Sequence, residues 1–186
     1  PVVAISGEKD GIAADIVFLM TEDGEENIIG FTNNITNPEG GTHVTGFKSA
    51  FAKLINNYAR NELGVLKEKD SNLTGADIRS GMQAIISVKH PDPQFEGQTK
   101  TKLSNTDVSK AVDDIVKEQL TVYFDRNYDV LKDIVDRAVA LSKRKALEKS
   151  KININKFSFE GNGKLAKQES SDSSKCEIFI VEGDSA

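Results

Sequence analysis

The chain has 186 residues, of which 38% are hydrophobic and 28% charged, with a formal net charge of −5. This composition supports a well-buried domain and excludes wholesale disorder, while the acidic balance works against autonomous binding to phosphate backbones. The densest apolar stretches, ADIVFLM and IFIV, are too short to span a membrane, and the start, PVVAISGEKD, has neither a basic leader nor a long apolar core.

From Asp10 to Glu22, DGIAADIVFLMTE is rich in apolar and β-branched residues and is closed by the turn signal EDGEE; NIIGFTNN follows as a second short strand, and a hairpin is the simplest pairing. After NPEGG the period changes. Val44, Phe47, Phe51, Leu54, Ile55 and Tyr58 recur at spacings of three and four, which predicts a helix with one buried face, with Thr42 as its N-cap. EKDSNLTGADIRSG reads as a loop with one short helical turn and leads into a buried strand, MQAIISVKH.

Asn105 or Thr106 is placed to cap a second helix, whose stripe is Val108, Val112, Ile115, Val116, Leu120, Tyr123 and Phe124. Asn127 marks a break. A third helix carries Val130, Leu131, Ile134, Val135, Ala138, Leu141 and Leu147 and ends in the basic run SKRKALEK. GNGKLAKQESSDSSK has almost no large apolar residue and reads as a linker, and CEIFIVEGDSA then opens a buried strand.

The expected architecture is therefore α+β, a sandwich with helices on one face of a sheet and a long C-terminal helix. The expected division is a folded domain over 1–150, a linker over 151–175 and the first strand of a second domain over 176–186. The lack of an initial methionine and the abrupt end at Ala186 fit a piece of a longer protein. Cys176, the single cysteine, permits no internal disulfide and makes a reducing, cytoplasmic compartment the default. His43 and His90 have no second histidine or cysteine at ligand spacing, so no zinc site is expected.

The most distinctive stretch is PDPQFEGQTKTKL, Pro91 to Leu103. Pro91 and Pro93 limit backbone freedom, and Gly97 allows a sharp bend before Gln98. Such a loop can hold the Lys100 ammonium and the Gln98 amide at a fixed place, suited to an anion such as a phosphate; a lysine on a loop is otherwise simply a solvated lysine. EGGTH, Glu39 to His43, invites a phosphate-cradle reading, but the spacing is not that of the phosphate-binding fingerprints, and a tight turn before a helix is the stronger reading.

The segment VKHPDPQFEGQTKTKL resembles the Gln-Thr-Lys loop of the B subunits of bacterial type II DNA topoisomerases, DNA gyrase and topoisomerase IV. FTNNITNPEGGTHVTGF, IRSGMQAIISVK, GKLA and CEIFIVEGDSA resemble further landmarks of that family, in the same order. The resemblance implies the transducer domain of a gyrase B subunit, with a fold similar to domain 2 of ribosomal protein S5, ending at the start of the TOPRIM cleavage domain. It implies that Lys100 and Gln98 touch the γ-phosphate of ATP bound by an N-terminal ATPase domain, and that Glu182 belongs to an incomplete Mg²⁺ site. For the parent protein it implies ATP and Mg²⁺ as cofactors, and as partners DNA, the gyrase A subunit and a second B subunit. Lys143, Arg144 and Lys145 become candidate DNA contacts, against the ordinary reading of a solvated helix end.

Two features depart from the family pattern. The junction SKININKFSFEGNGKLAKQ is short, and Ser80 stands where an acidic residue is common. The rival readings are a topoisomerase IV B subunit, a protein-binding adaptor of the same fold that takes no nucleotide, and the middle domain of a mismatch-repair or chaperone ATPase.

Overall fold

The computed structural model describes residues 1–155, with side chains as far as Lys149. It divides into two compact units, Pro1–Arg144 and Lys145–Ala186. In the first unit a five-stranded sheet has the order β1-β2-β5-β3-β4, formed by β1 (Val3–Lys9), β2 (Ile12–Met20), β3 (Asn27–Thr32), β4 (Ile35–Asn37) and β5 (Met82–Lys89). A small second sheet pairs β6 (Phe95–Glu96) with β7 (Lys102–Leu103). The helices are α1 (Thr42–Asn61), the short α2 (Gly75–Ile78), α3 (Thr106–Arg126) and α4 (Tyr128–Asn155).

Alternation along the strands sets the layers. Ile5, Ile16 and Ile86 lie in register across β1, β2 and β5 and are all buried, whereas Val17 and Ile85, paired one position along, point to the other face and are 42% and 49% exposed. Helices α1 and α3 pack against each other and against the buried face. The expected layering of helices on one face of a sheet is what the structure has, and β5, expected as a buried strand, alternates and buries one face.

Phe18 of β2 meets the ring of Phe51 on α1 edge-on, with centroids 5.3 Å apart, and Phe51 stacks with Phe47 at 5.7 Å. Each fully buried ring of this kind contributes about 2 kcal/mol through area removed from water. The α1–α3 approach depends on Gly46, where an added Cβ would lie 2.6 Å from the Ser109 carbonyl oxygen.

The hairpin expected between Asp10–Glu22 and NIIGFTNN does not form. β2 instead makes a hairpin with β1 through Asp10 and Gly11, both at positive φ (52° and 76°). These are the conformations a two-residue hairpin turn requires. β5 lies between β2 and β3, antiparallel to the first and parallel to the second. The acidic segment after β2 crosses the end of β5 rather than turning back. It is held there by Thr21 N–H to the Gly81 carbonyl at 2.7 Å, Gln83 Nε2 to the Glu25 carbonyl at 3.0 Å and the Arg79–Glu26 ion pair at 3.2 Å.

Thr42 is not the N-cap of α1. Gly41 occupies that position at φ 142°, and among the described residues no side chain caps the helix and the buried Thr42 hydroxyl has no hydrogen-bond partner. The short turn α2 does have a side-chain cap, since the Thr74 hydroxyl accepts from Asp77 N–H. The α3 stripe is buried as expected from Val108 to Phe124, with Tyr123 half-buried. Asn127 ends α3, and α4 runs on to Asn155, past the boundary expected at 150. The remainder of the expected linker, Cys176 and the expected strand over 176–186 lie outside the described residues.

Candidate functional site

The Gln-Thr-Lys segment is the tip of the small β6–β7 ribbon. Gly97 turns at φ 78°, and Gln98, Thr99 and Lys100 are exposed. Lys100 itself sits in the left-handed region at φ 55°. For a residue with a Cβ this conformation costs on the order of 1 kcal/mol, so the surroundings must hold it.

The hold comes from β4 and the turn that follows. The Asn37 amide donates to the Lys100 carbonyl at 2.8 Å, Glu39 N–H donates to the Thr101 carbonyl at 3.1 Å, and Leu103 N–H donates to the Gly40 carbonyl at 3.1 Å. Asn37 is 1% exposed and its oxygen accepts from the Thr32 hydroxyl at 2.7 Å. Gly41 belongs to the same arrangement: an added Cβ there would come within 2.5 Å of the Leu103 carbonyl oxygen. The two glycines of EGGTH therefore bring the chain against the loop.

A second set of contacts pins the loop's base. Asn33 accepts from His90 N–H at 2.9 Å and donates to the His90 carbonyl at 2.8 Å. His90 Nδ1 accepts from Asp92 N–H at 3.0 Å, which leaves the proton on Nε2 to be donated to Asp107 at 3.0 Å. That hydrogen bond holds the Asp107 carboxyl below its ordinary value. Asn105, at the N-cap position of α3, uses its oxygen to accept from Gln94 N–H at 2.6 Å rather than to cap the helix.

The two lysines of the loop differ in engagement. Lys102 is ion-paired with Glu96 at 3.0 Å. Lys100 has no ion-pair partner among the described residues, and its ammonium lies 5.9 Å from the centroid of the Phe95 ring. A cation resting on an aromatic face is attracted by about 1 kcal/mol or less at an exposed site, weak enough to exchange for an anion. The structure thus has Gln98 and Lys100 at one exposed tip. Sequence reasoning does not reach Thr32, Asn33, Asn37, His90, Asn105 and Asp107. The only sequence signal for them is a density of Asn, Asp and His beside turns, where side chains bond to backbone.

His43 is a different case. It is fully buried, neither ring nitrogen has a hydrogen-bond partner among the described residues, and burial pushes its pKa down to about 4. It packs beneath β3, where an added Cβ at Gly30 would lie 2.3 Å from its Nε2. It is a core residue.

Lys143, Arg144 and Lys145 are exposed on α4. Glu182 lies outside the described residues. Among the described residues, no three or more His, Cys, Asp and Glu side chains gather to hold a metal, and no helix is long and apolar enough to cross a membrane.

An α+β layer with an exposed amide and ammonium on a braced loop is the setting in which the chain's relatives can be placed. Residues 1–153 match the family model described as DNA gyrase B. The type 2 topoisomerase B subunit of Aquifex aeolicus is 47% identical over 190 residues, covering 100% of this chain and 24% of that protein. The DNA gyrase B subunit of Clostridium acetobutylicum is 46% identical, covering 99% of this chain and 30% of that one. Among solved structures, the 43K ATPase domain of Thermus thermophilus gyrase B, in complex with an aminocoumarin, superposes with TM-score 0.73 at 34% identity, over 81% of this chain and 40% of that one. The topoisomerase IV ATP-binding domain of Francisella tularensis, in complex with a small-molecule inhibitor, gives TM-score 0.67 at 33% identity, over 78% and 40%.

The class is that of type II topoisomerase B subunits. The chain belongs to the DNA gyrase B family, and it spans 24% and 30% of the length of the two curated relatives described.

Proposed function

We propose that the chain is the transducer module of an ATP-dependent type II DNA topoisomerase, a DNA gyrase B subunit, and that the Gln98–Lys100 tip senses the γ-phosphate of ATP. The parent protein on this reading hydrolyses ATP and passes one DNA duplex through another. Its partners are DNA, the gyrase A subunit, a second B subunit and its own ATPase domain. Gyrase rather than topoisomerase IV is favoured by the family model and by the name of the Clostridium acetobutylicum relative.

The observation that carries the proposal is the state of Lys100. It is an exposed cation without an ion-pair partner among the described residues, on a backbone braced in the left-handed region. A fixed cation and a neighbouring amide donor suit the end of a polyphosphate chain, where they offset negative charge as it develops. Loss of the terminal phosphate removes their ligand and leaves the module free to change its arrangement, the logic of switches held by a γ-phosphate. Mg²⁺ would supply charge neutralisation in the parent, with Glu182 the residue of this chain assigned to a cleavage-site metal. Lys143, Arg144 and Lys145, as an exposed basic run, would meet DNA phosphates.

The test is steady-state ATPase of the full-length protein with Lys100→Ala, with nucleotide affinity measured separately. A fall in turnover of ~10²-fold with ATP still bound supports the sensor. Unchanged turnover makes the loop a scaffold and returns the protein-binding adaptor as the better reading.

A further inference from the structure

We propose that Asn37 is a positioning residue for Lys100, acting through the backbone of the loop; this rests on the reading of Lys100 as the γ-phosphate contact. Three observations converge on it. Lys100 is at φ 55°, a conformation that a lysine leaves unless something holds it. The Asn37 amide donates to the carbonyl oxygen of Lys100 at 2.8 Å. Asn37 is 1% exposed, with its own oxygen accepting from the Thr32 hydroxyl at 2.7 Å, and Thr32 is 0% exposed.

The orientation of the Asn37 amide follows from its two partners. Turned about, its oxygen would face the Lys100 carbonyl, acceptor against acceptor, on a side chain that is itself buried. The relay Thr32–Asn37–Lys100 therefore runs from the interior of the sheet to the exposed tip with one fixed polarity. Neighbouring backbone bonds, Glu39 N–H to Thr101 and Leu103 N–H to Gly40, secure the chain on the far side of Lys100 without Asn37. Loss of the amide donor then leaves the loop attached and frees Lys100, whose backbone lies in the left-handed region. A lysine side chain has many rotamers, and a backbone that leaves the left-handed region redirects all of them, so the share of molecules with the ammonium correctly placed falls.

The experiment uses the full-length protein and measures turnover and nucleotide affinity for Asn37→Asp, Lys100→Ala and the double variant. Asn37→Asp keeps the shape and removes the donor. The expected result is a loss of roughly tenfold in kcat with affinity unchanged, and a double variant no slower than Lys100→Ala alone, because the asparagine acts through the lysine. Should Asn37→Asp fail to fold, Thr32→Val removes the hydroxyl that orients the amide and should give a smaller loss in the same direction, while Thr32→Ser keeps activity. Losses that add in the double variant, or normal turnover in folded Asn37→Asp and Thr32→Val while Lys100→Ala is slow, overturn the positioning role and leave the Lys100 reading standing. Normal turnover in Lys100→Ala removes both.

Discussion

His90 Nε2 donates to the Asp107 carboxylate at 3.0 Å, joining the residue just after β5 to the first turn of α3 and so closing the base of the loop that lies between them. His90 is 8% exposed, whereas the Asp107 side chain is 62% exposed. The pair therefore orders the loop more than it stabilises the domain. Asp107→Asn is expected to lower global stability by about 1 kcal/mol or less while speeding amide exchange across 94–102. Hydrogen exchange read by mass spectrometry checks this, and exchange in the loop matching wild type would show that the asparagine contacts alone hold it.

The two lysines at the tip should separate cleanly. Lys102 is occupied by Glu96 in a half-exposed pair, a kind of interaction worth little. Lys102→Ala in the full-length protein is expected to change ATP turnover by less than about twofold, against the ~10²-fold loss for Lys100→Ala. Equal losses would mean that the loop works as a diffuse basic patch.

Gly46→Ala is expected to be the most damaging small substitution in α1. The new methyl would meet backbone of α3, with the Ser109 oxygen at 2.6 Å and its Cα at 3.0 Å, and backbone yields less readily than a side chain. A loss of about 2–3 kcal/mol should appear in urea unfolding as a lower midpoint with unchanged slope. A wild-type midpoint would mean that α1 and α3 separate at little cost.

His43 should make the domain sensitive to mild acid. Its pKa in the folded state is about 4, below the ordinary 6.5, because burial disfavours the cation. The unfolded chain therefore binds more protons in that window, so stability is complete above pH 6.5 and falls as the pH drops toward 4. The full effect is on the order of 3 kcal/mol. Urea midpoints measured between these limits should slope in wild type and flatten in a folded His43→Leu variant; an undiminished slope in that variant would assign the sensitivity to carboxylates.

Local pattern was enough to determine α1, α3, α4 and β5, because a buried stripe at helical spacing, or apolar alternation along a strand, is a property of adjacent residues. The Asp10-Gly11 turn carries a signal of the same local kind, since positive φ at two consecutive positions needs such a pair. The exposed Gln98–Lys100 tip also followed from the residues themselves and from their resemblance to a family. Which strands pair was decided only in three dimensions: β5 must come from beyond α1 to lie between β2 and β3, and nothing in the sequence near β2 marks that edge as open to it. The cap of α1 was decided the same way, since close packing of Gly41 against Leu103 sets where the helix begins. Asn37 shows the same division. In the sequence it is one asparagine in a polar turn, and it becomes the brace of Lys100 because folding brings β4 beside the loop and shuts water out, leaving a buried amide that must find its partners within the protein.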